Sequence, residues 1–194
     1  FTKQSKIGEG SFGKVFKVIE KGTENVFAAK ISLMKLDESN QKFIKSLRRE
    51  ITILSHLNHP LVLKFIGYSP FDFQQKSYPV IITEYSANGT LEEIINREYR
   101  SFSPEMWSDT KKLINIYGIA SAMSYLHLHD IVHRDLKPAN ILEDDNFYPK
   151  ISDFGLSKVY HKNIDSMTSQ STAGFKGTPI YTAPEVWCGD EYTK

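Results

Sequence analysis

Few features of this sequence point away from an ordinary folded interior. It has a single cysteine, Cys188, so no internal disulfide can form, which suits a reducing compartment. No sign of charge dominates, with 24 Lys and Arg against 23 Asp and Glu. Bulk electrostatics therefore argues for neither nucleic-acid nor membrane attraction. No apolar run approaches the length of a bilayer-spanning helix, and no secretory leader opens the chain. The expectation is a cytoplasmic, intracellular setting with no membrane segment in this stretch, the parent protein's own location being left open. An initiator methionine is also lacking, as is a tail-like composition at the end, so the chain reads as a piece of something longer. Its 194 residues, 40% of them hydrophobic, suffice for one or two small domains with a real core.

What is present is concentrated in short strings. His133-Arg134-Asp135-Leu136-Lys137-Pro138-Ala139-Asn140 is the densest, and Asp153-Phe154-Gly155 follows after a short strand-turn-strand pattern. Asp135 can accept a proton, Asn140 can offer a metal ion its amide oxygen, and Asp153 can offer a carboxylate. A hard-cation site beside a base is the minimum equipment for moving a phosphoryl group. The competing reading, a surface loop with incidental acids, does not account for two such strings in order.

Near the start, Ile7-Gly8-Glu9-Gly10-Ser11-Phe12-Gly13-Lys14-Val15 carries the G-x-G-x-x-G spacing, which dinucleotide-binding folds also use. Its sequel separates the two. Lys14–Ile19 and Val26–Ile31 are β-branched or aromatic runs around a Lys21-Gly22-Thr23 turn, a hairpin where a dinucleotide fold needs a helix. Glycines there let the backbone pass close over phosphates. From Asn40 to His56, Phe43, Leu47, Glu50, Leu54 and Leu57 step by four, three, four and three, one helical stripe. Glu50 falls on its inward side, and a buried carboxylate calls for a cation.

His59-Pro60 closes that region, and Leu61–Gly67 and Pro79–Tyr85 read as strands. Thr90 can cap a short helix carrying Leu91, Ile94 and Ile95, and the boundary between a β-rich and a helical half is placed here, giving 1–86 and 87–194. Ser103-Pro104-Glu105 predicts the start of the next helix, with Leu113, Ile116, Ala120, Met123 and His127 as its core stripe. His127 and His129, two apart, are not at a helical metal-ligand spacing and read as structural or solvated.

The strings around Asp135 and Asp153, taken with the glycine loop, resemble the eukaryotic protein kinase family, and the likeness spans nearly the whole chain. That resemblance implies an α+β fold: an antiparallel sheet with one helix, followed by a helical lobe broken off after the activation segment. It implies ATP and magnesium (Mg2+) as cofactors. Lys30 becomes the partner of Glu50 and reaches the α- and β-phosphates, while Lys137 stabilises the transferring phosphoryl group beside Asp135. Ile7 to Val15 cover the nucleotide, with Val15 and Ala28 against one face of the purine and Leu142 closing the other. Thr83 stands at the back of the pocket, and the backbones of Glu84 and Ser86 meet the adenine edge. Leu54, Phe65, His133 and Phe154 align with the family's stacked apolar spine.

Substrate class follows from the same likeness. Lys137 and the Gly177-to-Glu185 string, in which Thr178 can bond Asp135 and Lys137, are similar to the Ser/Thr kinases and, more loosely, to their tyrosine-kinase-like branch. The implied partner is a protein with a serine or threonine acceptor. Arg134 would grip a phosphate placed on Ser166 to Thr172 by an upstream kinase or by the protein itself. Ser157 is a further hydroxyl between Asp153 and Glu185. Two readings compete: a pseudokinase scaffold that binds nucleotide without transfer, and a tyrosine or dual-specificity kinase. The family's later helices, and the arginine that pairs with Glu185, are not in this sequence. The expectation is exposed apolar surface, low stability and weak or no activity in this stretch taken alone.

Overall fold

The computed structural model describes residues 1–10, 13–159 and 178–188, which fall into two units, Phe1–Ala87 and Asn88–Lys194. The first is a five-stranded antiparallel sheet with one helix. Its strands are β1 (Thr2–Gly10), β2 (Gly13–Ile19), β3 (Val26–Ser32), β4 (Phe65–Ser69) and β5 (Val80–Glu84), in the order β1-β2-β3-β5-β4. Register divides the side chains between two faces. Phe16 faces Ala29, and Ala29 in turn faces Ile82, so Val18, Ala29, Val80 and Ile82 are buried together with Phe27, Ile31 and Phe73 against them. Val15 pairs with Lys30 and Ala28 with Thr83 on the alternate positions, which puts all four on the opposite face.

Helix α1 (Gln41–His56) begins where the Asn40 side chain accepts the Phe43 N–H at 3.2 Å. Leu47 and Leu54 are buried and Glu50 is half-buried, as the stripe predicts. The strand expected over Leu61–Gly67 instead runs from Phe65 to Ser69. Its start is fixed by a two-point fastening: the Lys64 N–H donates to the Glu84 side chain at 2.8 Å, and the Glu84 N–H donates to the Lys64 carbonyl at 3.0 Å. A register shift between Phe65 and Gly67 follows it.

In the second unit, α2 (Leu91–Tyr99) opens with a reciprocal cap. Thr90 Oγ1 accepts the Glu93 N–H at 3.1 Å, and the Glu93 carboxylate accepts the Thr90 N–H at 2.9 Å. Helix α3 (Asp109–Leu128) starts at Ser108, five residues later than the Ser103-Pro104 signal predicts. Pro104 instead makes a turn, its carbonyl accepting the Trp107 N–H at 2.9 Å. Trp107 is drawn inward against Phe147 and Ile94, which takes the chain off the helical path until Ser108 caps it afresh. The stripe also needs correcting. Asn115, Gly118, Ala122 and Leu126 are buried, whereas Leu113 and Ile116 are each 67% exposed. Small residues let α3 lie close to the strands it packs on, so Gly118 and Ala122 face inward with Leu126 while Leu113 and Ile116 do not.

The remaining strands are short: β6 (Ile131–Val132) with β9 (Lys158–Val159), and β7 (Ile141–Glu143) with β8 (Pro149–Ile151). The final helix is α4 (Pro184–Cys188), on which Glu185 is exposed. No helix among the described residues is long and apolar enough to cross a membrane.

Candidate active site

Lys30 lies on β3, and its ammonium reaches Glu50 of α1 at 2.8 Å. The pair is mostly shielded, with side-chain exposures of 26% and 12%. Buried acid and cation therefore answer one another, as the helical arithmetic requires. Val15, Ala28 and Thr83 share the Lys30 face of the sheet. Thr83 is buried and donates through Oγ1 to the Glu84 carbonyl at 3.1 Å. The Glu84 side chain and N–H are both committed to Lys64, which leaves the carbonyl oxygen as the residue's polar group on this side. Ser86 Oγ is buried with no hydrogen-bond partner among the described residues.

In the glycine loop, Gly8 stands opposite Val15, Glu9 opposite Lys14 and Gly10 opposite Gly13, while Ile7 is exposed. Only Gly13 is sterically required. A Cβ there would sit 2.7 Å from the Ile31 carbonyl oxygen, whereas one on Gly10 would meet nothing. The Lys6 side chain, and after it the charge of Lys14, hold exposed Glu9 below its ordinary pKa. Ser11 and Phe12 lie outside the described residues, as do Ser166, Thr168, Ser169, Ser171, Thr172 and Gly177.

The second unit gathers the rest. His133 is buried, and its ring nitrogens are assigned by their neighbours: Nε2 lies 2.9 Å from the Ser152 carbonyl, which can only accept, and Nδ1 faces the Asp135 N–H at 3.3 Å. Burial lowers its pKa, so the ring is neutral. It meets the Phe154 ring edge-on at 5.2 Å. Just beyond it, Asp135 receives three donors. Thr178 Oγ1 approaches at 2.9 Å, Lys137 Nζ at 3.0 Å and Asn140 Nδ2 at 2.9 Å. Lys137 also donates to Thr178 Oγ1 at 2.6 Å, which closes the triangle. Burial would push the Asp135 pKa up, but the hydrogen bonds of Lys137, Thr178 and Asn140 and the Lys137 charge outweigh it and hold the group below the usual aspartate value. The carboxylate is thus ionised at neutral pH.

Asn140 is buried in a single 3-10 turn, Pro138–Asn140, and its Nδ2 also donates to the Asp135 carbonyl at 2.8 Å. That commitment turns its amide oxygen to the other side. Ser152 clamps the Asn140 carbonyl with both its N–H and its Oγ, each at 2.9 Å. The next residue, Asp153, takes a left-handed backbone with φ 59°. The Asn140 amide oxygen and the Asp153 carboxylate are of the hard-oxygen type that magnesium accepts. No cluster of three His, Cys, Asp or Glu side chains able to hold a metal is found among the described residues.

Arg134 donates through Nε to the Leu156 carbonyl at 2.6 Å. Ser157 is fully buried and donates to the His133 carbonyl at 3.2 Å, so it is not open to modification. Leu142 is half-buried on β7 and bridges to Thr90. The His129 ring packs at a tilt against Tyr125, 4.3 Å between centroids. Sequence reasoning missed Ser152. The signal was there: a hydroxyl directly before Asp153, at a strand end flanked by apolar residues.

Comparison with known proteins places these features in a family. A profile described as the protein kinase domain matches residues 1–194. The probable L-type lectin-domain containing receptor kinase V.3 of Arabidopsis thaliana is 35% identical over 185 residues, 93% of this chain and 25% of that protein. The NUAK family SNF1-like kinase 1 of Homo sapiens is 36% identical over 189 residues, covering 97% and 26%. The probable serine/threonine-protein kinase drkC of Dictyostelium discoideum is 36% identical over 193 residues, covering 98% and 24%. The chain thus spans about a quarter of the length of the relatives it matches.

Proposed function

We infer the reaction from one premise, that the chain belongs to the protein kinase domain family: it transfers the γ-phosphoryl group of ATP to serine or threonine hydroxyls of a protein substrate. Asp135 orients the acceptor hydroxyl and takes its proton as the oxygen bonds to phosphorus. The bond to the bridging oxygen breaks in the same displacement and ADP leaves. Lys137 offsets charge on the moving phosphoryl group, and Lys30, steadied by Glu50, holds the α- and β-phosphates. Gly8 to Val15, Ala28, Thr83, the backbones of Glu84 and Ser86, and Leu142 contact the nucleotide. Asn140 and Asp153 would hold magnesium, which when bound neutralises the phosphates. Residues 1–86 and 87–194 are the two lobes of the domain. Phosphorylation between Ser166 and Thr172, by an upstream kinase or by the protein itself, raises activity.

The observation that carries this reading is the closed triangle of Asp135, Lys137 and Thr178, which holds an ionised carboxylate beside a cation. Radiolabelled ATP with Mg2+ and a serine-rich generic substrate tests it in the full-length protein. Asp135→Asn should cut transfer by roughly 10²–10⁴-fold while nucleotide binding, followed by thermal shift, persists. Binding without transfer by the unaltered protein would establish the scaffold instead. Label on tyrosine would overturn the substrate class.

A further inference from the structure

Glu143, at the end of β7, has 0% of its surface exposed. Neither carboxyl oxygen has a hydrogen-bond partner among the described residues, nor does Oδ1 of buried Asn115 on α3. The Asn115 amide cannot be turned to relieve this. Its Nδ2 donates to the carbonyls of Lys111 at 3.1 Å and Phe147 at 3.2 Å, and both of those can only accept. Three acceptor oxygens are therefore sealed in one interior without a free donor, because both hydrogens of the Asn115 Nδ2 beside Glu143 are already given to those two carbonyls. A proton on Glu143 is the smallest addition that supplies one, because a carboxylic acid can donate to the Asn115 oxygen where a carboxylate cannot.

The surroundings agree. Burial pushes the Glu143 carboxyl up to about 7, an effect that the neighbouring Asn115 amide and Lys111 reduce and Asp144 reinforces. The Lys111 ammonium is drawn away to the Asn146 carbonyl at 2.6 Å and over the Tyr148 ring at 4.3 Å. Asp144 turns its carboxylate to the N–H groups of Asn146 and Tyr148. On α2, Glu93 is engaged by Thr90. Lys150 of β8 pairs with Leu142, at the ladder position alternate to Glu143. None of these cations neutralises an ionised Glu143.

We propose that Glu143 is carried as a neutral acid and, in that form, positions β7 for nucleotide and metal binding. Its main chain is fastened on both sides, N–H to the Gly89 carbonyl at 2.9 Å and carbonyl to the Asn88 N–H at 3.2 Å. The neighbouring residue is Leu142, and Asn140 lies one residue beyond the strand's other end. Ionising Glu143 would strand an anion against α3 and drive β7 outward. The group's folded value lies above its unfolded one, so its stabilising contribution is whole below about 4.5 and is lost as pH rises through about 7. The nucleotide part of this inference rests on the kinase reading; the stability part does not.

Melting temperatures of the nucleotide-free protein between pH 5.5 and 8.5 give the first test. The unaltered protein should lose stability across neutrality, whereas Glu143→Gln, an isostere that keeps a donor at every pH, should follow a visibly flatter profile. Glu143→Leu provides the same comparison if the glutamine variant does not fold. Parallel profiles for unaltered and substituted protein would overturn the proposal. In the second arm, Mg·ATP affinity of the unaltered protein should weaken by ~10-fold from pH 6 to 8.5 and that of Glu143→Gln by much less. Equal weakening would overturn the positioning role alone. If nucleotide binds to no variant at any pH, the kinase reading fails while the melting profiles still decide the protonation state.

Discussion

Thr178 is bonded to Asp135, forty-three positions earlier, and to Lys137, forty-one positions earlier. No local pattern reveals such a link; only the family likeness suggests it. Thr178→Val keeps the shape and removes the hydroxyl. Losing a hydrogen bond to a charged group costs about 1.5–3 kcal/mol, so phosphoryl transfer should fall by roughly ten- to a hundredfold in a steady-state assay. The same change should weaken the acid side of the stability curve. Asp135 has a folded value below its unfolded one, so its stabilisation is present above about pH 4 and is lost as pH falls through the depressed value. With one donor gone, the acid unfolding midpoint followed by circular dichroism should move to higher pH. An unchanged midpoint would mean that Lys137 and Asn140 suffice. Charge pairing was easier to foresee: Glu50 announced itself by its place in an apolar stripe, and a cation meets it at 2.8 Å. The orphaned oxygens of Glu143 and Asn115 could not be foreseen, because nothing in their spacing shows that they share an interior.

Hairpins and caps were the most readable elements, since their chemistry is local. The β2–β3 hairpin turns through Gly22 at φ 81°, where the sequence puts its Lys-Gly-Thr turn, and the Thr90 cap closes reciprocally on Glu93. Gly13 and Gly10 make an element-level test. An alanine at 13 would push against the Ile31 carbonyl oxygen and separate β2 from β3, and overpacking of that kind costs about 1–3 kcal/mol. An alanine at 10 meets nothing within contact distance. Gly13→Ala should therefore lower the melting temperature by several degrees and Gly10→Ala should leave it nearly unchanged. Equal shifts would contradict the packing described for the hairpin. Helix α3 was read less well. Its periodicity marks two apolar stripes, and only the depth of the neighbouring strands decides that the one with Gly118 and Ala122 turns inward. The start predicted at Ser103 fails because Trp107 is buried before the helix begins, and Ser108 supplies the cap instead.

At the scale of the molecule, the second unit leaves the other stripe of α3 in solvent, with Leu113 and Ile116 joined by Tyr117 at 77% exposure. A contiguous apolar face of this kind favours self-association. Changing Leu113 to Lys together with Ile116 to Glu should lower light scattering in concentrated solution. It should shift stability by no more than about 0.5 kcal/mol, as surface changes usually do. A sharp drop in melting temperature would show that the stripe is covered in solution. The fold class itself was legible through the family likeness, with which the separation of strand-rich from helix-rich segments along the chain agrees. The exact onset of β4 was not, because a side chain sets it. Lys64 and Glu84 fasten to each other twice, so the margin of the sheet is riveted by a carboxylate and a peptide N–H. A purine edge set against residue 84 would then meet its carbonyl oxygen, which every amino acid carries alike. Evolutionary drift at that position would fray the sheet's border long before it altered the choice of base.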